Sequence, residues 1–355
     1  MNKKLVGLGL AAVAAVSLAA CGNRASKSSS SEASSSANTS VKAAIVTDIG
    51  GVDDRSFNQS AWEGLQEWGK AASLSKGNGY DYFQSASESD YITNLDSAVA
   101  GGYNLVFGIG FALESAIAEV APNNPSTHYV IVDSVVPDQD NVVSVGFADH
   151  EASYLAGVAA AKSTKTNHVG FIGGMEGVII DRFEAGFVAG AKSVNKDIKI
   201  TVDYAGSFGD AAKGQTLAAA QYAAGADVIF HASGGTGNGV FAAAKAENET
   251  RNEADKVWVI GVDRDQSAEG TYTSKDGKSS NFVLASTLKQ VGTSVKDIAT
   301  KAAAGDFPGG QVLQFSLKDK GVELAETNLS EDASKAVADA KQAILDGKVE
   351  VPEKP

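Results

Sequence analysis

VKAAIVTDIGGVDDRSFNQSAWEGLQEWGKAA, residues 41–72, contains the two textures from which the rest of the chain is built. It opens as an apolar run that stops at Asp48. It ends as a segment in which Phe57, Ala61, Leu65, Trp68 and Ala72 recur at helical spacing. The first texture returns in NLVFGIG (104–110), HYVIVD (128–133), VVSVGFAD (142–149), HVGFIGG (168–174), DVIFHASGG (227–235) and VWVIGVD (257–263). Between these runs lie amphipathic or alanine-rich stretches at 90–100, 151–161, 182–194, 211–224 and 239–247. Continuous apolar strands separated by helices imply parallel sheet covered on both faces, an α/β protein.

The series breaks into two doubly wound lobes, one from Val41 to about Phe147 and a second from the helix after Asp149 to about Asp263. Beyond Gly270 the pattern predicts a loop, a strand at 282–289, a helix at 290–304, two short strands around 313–317 and 321–324, and a closing helix at 330–345. A tail of that length can cross between lobes and return. In open parallel sheets ligands sit at the carboxyl ends of the strands. Here those ends carry Asp48, Asp133, Asp149, Gly173-Gly174, Ser233-Gly234-Gly235 and Asp263. Asp133 and Asp263 each end a strongly apolar strand and are site candidates, whereas Asp149, opening DHEASYLAG, reads as a helix cap.

Composition excludes several functions. A formal charge of −13 over 355 residues argues against a broad nucleic-acid footprint, which needs clustered lysine and arginine. The four histidines are scattered without metal-ligand spacing. VTDIGGVDD, residues 46–54, is near the D-x-D-P-G-x-D-D calcium cluster of nucleoside hydrolases. However, Val46 replaces the first aspartate, the proline is missing, and the aspartate pair comes one residue late. A hard cation needs six or more oxygen ligands, so binding is favoured over metal-assisted hydrolysis. GGTGNG (234–239) lacks the lysine of a phosphate loop, AGSFG (205–209) lacks the first glycine of a nucleophile elbow, and DRDQSAEG (263–270) lacks the glycine of a calcium loop. No catalytic residue, metal or cofactor is expected. Ser56-Phe57-Asn58-Gln59 reads as a capping box that sets Phe57 and Asn58 on the first helical turn, facing the cleft. On the residues alone, Phe57 is either a core residue or a stacking platform, and core is the plainer reading.

The N-terminus has two lysines, an uncharged stretch from Leu5 to Ala20, and the chain's one cysteine, Cys21. This is the layout of a secretory signal, and Leu18-Ala19-Ala20-Cys21 resembles the bacterial lipobox, in which a diacylated cysteine becomes the mature N-terminus. The expected organisation is a signal peptide (1–20), a lipid-bearing Cys21 with a serine-rich flexible tether (21–40), a first lobe (41–147 plus about 288–310) and a second lobe (148–287 plus about 311–355).

The lipobox, VTDIGGVDDRSFNQSAWEGL, IVDS (131–134), IGGMEGVIIDRFEAGFVAG (172–190), GSFGD (206–210) and VIGVDRDQ (259–266) together resemble the basic membrane protein family. Within that family the chain is similar to the purine nucleoside receptor A-like lipoproteins, the substrate-binding subunits of ABC importers. The likeness runs from Val41 to the C-terminus. It implies a type I periplasmic-binding-protein fold, two lobes joined by a multi-segment hinge. It also implies a purine held between Phe57 and Phe208, one from each lobe, with Asp133 accepting from the base edge. The ribose would be held by Asn58, Asp263 and Lys289, with Asp48 and Gly235 nearby. The implied partners are purine nucleosides of the adenosine, guanosine and inosine class and an ABC permease. The implied state is a monomer, lipid-anchored on the extracytoplasmic face of a bacterial cell membrane. No strand end carries clustered arginine or lysine, so nucleosides are expected over nucleotides. A receptor for a sugar or other small polar ligand on the same fold, and a nucleoside-cleaving enzyme, are the alternatives.

Overall fold

The computed structural model describes residues 41–355; the expected signal peptide, Cys21 and the tether lie outside the described residues. The chain starts as β1 (Ala43–Thr47), α1 (Phe57–Ala71), β2 (Tyr80–Phe83), α2 (Tyr91–Ala100), β3 (Leu105–Ile109), α3 (Glu114–Val120), β4 (His128–Val132) and β5 (Val142–Phe147). It continues as α4 (Asp149–Ser163), β6 (His168–Gly173), α5 (Val178–Val194), β7 (Lys199–Tyr204), α6 (Ala211–Ala223), β8 (Val228–Ala232), α7 (Gly237–Glu249) and β9 (Trp258–Gly261). A small hairpin, β10 (Thr271–Thr273) and β11 (Ser279–Asn281), precedes β12 (Val283–Lys289) and α8 (Val291–Ala303). The chain then forms β13 (Val312–Phe315), β14 (Val322–Glu326) and α9 (Glu331–Leu345).

Two six-stranded sheets result, ordered β13-β5-β4-β3-β1-β2 and β14-β12-β9-β8-β6-β7. The first is parallel throughout; the second is parallel except for β14, which runs antiparallel to β12. The central strands AAIVT, LVFGI and VIFHA are buried along their whole length, as expected for strands covered on both faces. In the first lobe one face packs Ile45, Phe107 and Val145 against Leu65 and Trp68 of α1 and Val295 of α8. The other face packs Val106 and Ile131 against α2 and α3. In the second lobe Phe171, Phe187 and Phe230 form the core beneath α5. Ile229 and Val259 meet Tyr222 of α6 and Val240 of α7 on the far side. Helices α4 and α5 cross so closely that a Cβ on Gly190 would stand 2.0 Å from the carbonyl oxygen of Tyr154, so only glycine fits there.

The chain crosses between lobes three times, after β5, after β12 and after β13. The crossings are laced together: Ala148 N–H donates to Phe315 O at 2.7 Å and Gln290 N–H donates to Gly321 O at 2.9 Å. The expectation that the second lobe resumes near residue 311 is corrected here. Strand β13 pairs in register with β5 (Val312 with Ser144, Phe315 with Phe147), so the last crossing falls at 316–321. An open strand edge on β5 offers unpaired backbone groups, and β13 satisfies them before the chain leaves. The return to the first lobe also comes slightly later than 288, because Lys289 still pairs with Val322 in the second sheet.

A second correction concerns the start of α1. Ser56 makes no side-chain capping bond to the helix. Asp54 does that work instead: its two carboxylate oxygens accept from the backbone N–H groups of Ser56, Asn58 and Gln59 at 2.8, 2.8 and 3.0 Å. Gln59 turns to Glu63 at 2.8 Å rather than back to the cap. A carboxylate also complements the positive end of the helix dipole better than a hydroxyl does.

Candidate functional site

The carboxyl ends of both sheets converge on one cavity with about 500 Å³ of empty space, its opening to solvent included. The first lobe contributes Asp48 after β1, Gly110 and Phe111 after β3, Asp133 after β4, and Asp54, Phe57 and Asn58 from the turn into α1. The second lobe contributes Ile179, Ile180 and Phe183 from α5, Phe208 from the β7–α6 loop, Ser233 and Gly234 after β8, Asp263 after β9 and Lys289 at the end of β12. Seven of the eight ligand residues expected from the sequence therefore line one space. Gly235 does not. A Cβ on Gly235 would lie 3.2 Å from Phe208 O and 3.6 Å from the Asp54 side chain, one position behind the wall that Gly234 forms.

Lys289 is the only cation among the described lining residues. Its Nζ is 2.6 Å from Asp133 Oδ2 and 3.2 Å from Asp149 Oδ1, and all three side chains are buried. The ammonium also stands 5.1, 5.2 and 5.6 Å from the ring centroids of Phe57, Phe147 and Phe183. Burial by itself would drive off the lysine proton; Asp133, Asp149 and Asp263 outweigh it and hold Lys289 charged. The cap reading of Asp149 is corrected by this geometry. Asp149 is the first residue of α4 and makes no capping bond; its carboxylate pairs with Lys289 beside a lobe crossing.

The other acids are held by neutral donors. Asp48 Oδ1 accepts from Gly50 N–H and Asn58 Nδ2, both at 2.8 Å. Asn58 Nδ2 also donates to Asp54 Oδ2 at 2.9 Å, so the amide oxygen points the other way and has no partner. Asp133 Oδ1 is likewise buried and unpartnered. Ser56 Oγ donates to Asp263 Oδ2 across the lobes. Burial raises the Asp48 and Asp263 carboxyls to about 6 against these bonds, and raises Asp149 to about 7 against the pull of Lys289. Asp133 and Asp263 share a left-handed backbone, each with φ 67°, which aspartate tolerates better than most residues and which turns each carboxylate off its strand end.

His231 and Gln266 stiffen the second lobe's wall. Gln266 Oε1 accepts from Val262 N–H at 2.9 Å and faces His231 Nε2 at 3.1 Å. His231 therefore carries its proton on Nε2 and accepts from Ser233 Oγ on Nδ1 at 3.3 Å. Burial lowers the imidazole to about 4, so it stays neutral in this role. Gln266 Nε2 donates to Arg55 O at 3.0 Å, linking this network to the first lobe.

Phe208 sits where Gly174 leaves room for it: a Cβ on Gly174 would stand 2.3 Å from the ring. Its backbone oxygen accepts from Thr236 N–H at 3.0 Å, and its ring meets Phe111 edge-on with centroids 6.1 Å apart. Sequence reasoning missed Phe111, Ile179, Ile180 and Phe183. Phe111 directly follows a strand end and could have been found by the rule that flagged the aspartates. Phe183 could not, because on α5 it shares an apolar stripe with core residues and only the lobe arrangement turns it to the cleft. The acid-rich loop after β1 also resolves: Asp54 caps α1, and Arg55 pairs with Glu269 of the other lobe.

The sequence profile of the Bmp family, described as ABC transporter substrate-binding protein PnrA-like, matches residues 41–355. A protein of Lactococcus lactis subsp. cremoris named "ABC transporter nucleoside-binding protein BmpA" is 58% identical over 355 residues, covering all of both chains. A Listeria innocua protein named "CD4+ T-cell-stimulating antigen" is 52% identical, again over the whole of both chains. Among solved structures, an ABC transporter solute-binding protein of Aeropyrum pernix superposes with a TM-score of 0.77 at 23% identity, covering 88% of this chain and 94% of that one. That likeness bears on the fold alone, and it agrees with the type I, two-lobed architecture described above. By sequence, the chain belongs to the Bmp family of PnrA-like ABC transporter substrate-binding proteins.

Proposed function

We propose that the protein captures purine nucleosides between its lobes and delivers them intact to an ABC importer. One observation carries this reading: Phe57, Asn58 and Asp133 of one lobe and Phe208, Asp263 and Lys289 of the other line a single cavity. Two phenyl rings offer faces to a flat base, an arrangement that stabilises stacking by roughly 1–3 kcal/mol per ring. The two unpartnered buried acceptors, Asn58 Oδ1 and Asp133 Oδ1, call for donors at separated points, as a ribose hydroxyl and a ring N–H supply. Leaving such acceptors unsatisfied costs about 1–3 kcal/mol each. The acids around Lys289 disfavour phosphate, which supports nucleosides over nucleotides. The name of the Lactococcus relative supports the same ligand class.

Capture follows from geometry. A ligand touching both lobes stabilises the closed arrangement over the open one, and the permease reads closure. Asp54 is committed to capping α1, and the remaining acids face hydrogen-bond donors or Lys289, which supports binding without hydrolysis. The lipid anchor on Cys21, attachment to the extracytoplasmic face of the membrane and a monomeric state complete the proposal. Replacing Cys21 with serine should release the protein from the membrane fraction. Calorimetry with inosine, guanosine and adenosine tests the ligand; failure of all three to bind would remove the reading.

A further inference from the structure

Beside the nucleoside cavity lies a second one, with about 960 Å³ of empty space including its mouth. The two share Phe111, Asp133 and Ile179, so they adjoin on the side of the site where Asp133 stands. Two of its polar side chains are already paired. Arg182 Nε donates to Glu353 at 2.9 Å and Ser134 Oγ donates to Glu114 at 2.5 Å. Its apolar lining is not covered: Val135 from the first lobe is 48% exposed and Val178 from the second is 64% exposed. Both face this cavity together with Ile179. The site's other acids, Asp48, Asp54 and Asp263, with Asn58, line only the nucleoside cavity, where they are buried.

Resting on the nucleoside reading, we propose that this second cavity is a subsite for an apolar substituent on the base edge of the ligand. The protein then takes purine nucleosides alkylated or aralkylated on the exocyclic amine as well as their parents. The base edge is the one held by Asp133, and a group projecting past that carboxylate enters the space between Val135 and Val178. Covering those valines removes apolar surface from water, which offsets the cost of ordering the added group. An anionic substituent gains nothing there, because Arg182 is already paired with Glu353 and Glu114 is an acid. A substituent on the ribose has no comparable outlet, since that end meets buried Asn58 and Asp48.

Calorimetry on the full chain tests this with whichever of adenosine and guanosine binds more tightly. The parent is compared with its derivative carrying a benzyl group on the exocyclic amine, and with its 5′-benzoyl ester. The benzylamino derivative should bind within tenfold of the parent, and the 5′ ester at least a hundredfold more weakly. Val178→Trp and Val135→Trp, both at exposed positions, should weaken the benzylamino derivative at least tenfold while leaving the parent within twofold. A benzylamino derivative more than tenfold weaker than a well-bound parent would overturn the subsite and leave the nucleoside reading standing. So would tryptophan variants that leave the ratio unchanged. Absence of binding by either parent would overturn the nucleoside reading and the subsite with it.

Discussion

The two lobes share the order of their five-stranded parallel core and differ in their outermost strand and their chemistry. Strands β1, β3 and β4 occupy the places in the first sheet that β6, β8 and β9 occupy in the second. After β4 and β9 both lobes set an aspartate in the same left-handed backbone, Asp133 and Asp263. After the other strands they diverge. The first lobe adds Asp48, with Asp54 and Asn58 in the turn that follows, whereas the second offers Ser233 and Gly234, with Gly174 behind Phe208. The first lobe is thus rich in acceptors, and the second supplies close backbone approach, apolar wall and, among the described lining residues, the one cation, Lys289. A ligand with hydroxyls at one end and a flat apolar ring satisfies both surfaces together. The proposed sandwich takes one ring from each lobe, Phe57 and Phe208.

The largest expected effect comes from the cation that links the lobes. Lys289→Met leaves Asp133 and Asp149 buried without a partner, which should lower stability by roughly 3–5 kcal/mol in urea unfolding and abolish measurable binding. Acidity should sharpen the comparison next. Asp48 and Asp263, with carboxyls raised to about 6, and Asp149, raised to about 7, are protonated when folded at pH 4–5 and ionise in a buried setting as pH rises to 8. A raised folded pKa means that stability present at low pH is lost as pH climbs through it. Unfolding of the ligand-free protein should therefore be easier at pH 8 than at pH 5. An Asp48→Asn/Asp263→Asn variant should show that difference reduced by roughly 2–3 kcal/mol.

The aromatic pair comes third. Phe57→Ala and Phe208→Ala should each weaken nucleoside binding tenfold or more, about 1.4 kcal/mol, with little change in unfolding. Equal losses would show that the lobes contribute alike; wild-type affinity in both variants would break the sandwich. Asp263→Ala should weaken ribonucleosides more than their 2′,3′-dideoxy analogues, and equal losses would break the assignment of the second lobe's aspartate to the ribose. Arg55→Ala should matter least, under about 1 kcal/mol by calorimetry, because the pair it makes with Glu269 is partly exposed.

What was legible in the sequence follows from burial. Strands β1, β3, β4, β5, β6, β8, β9 and β12 are buried and announce themselves as apolar runs. The outer strands β2, YDYF, and β7, KITVDY, give no apolar run, because as edge strands they are half exposed and carry polar residues. Asp48, Asp133 and Asp263 were findable as strand ends in an open parallel sheet. The roles proposed for Phe57, Phe208 and Lys289 rest on family resemblance, since a phenylalanine at a helix start and a lysine ending an apolar strand look structural. Asp149 differs from its sequence reading for a related reason: a helix-start aspartate resembles a cap until the tertiary fold brings a buried lysine to it. At the start of α1 the local pattern favours the Ser56 hydroxyl as cap, while the loop's path brings the Asp54 carboxylate to three backbone donors.

Calorimetric titration with inosine, with the solution analysed afterwards for free hypoxanthine, tests the central claim most directly. The account predicts one inosine bound per chain, much weaker binding of hypoxanthine, which lacks ribose, and inosine recovered whole even with calcium added. Tight binding of hypoxanthine alone, no binding of any nucleoside, or release of hypoxanthine from inosine would contradict it.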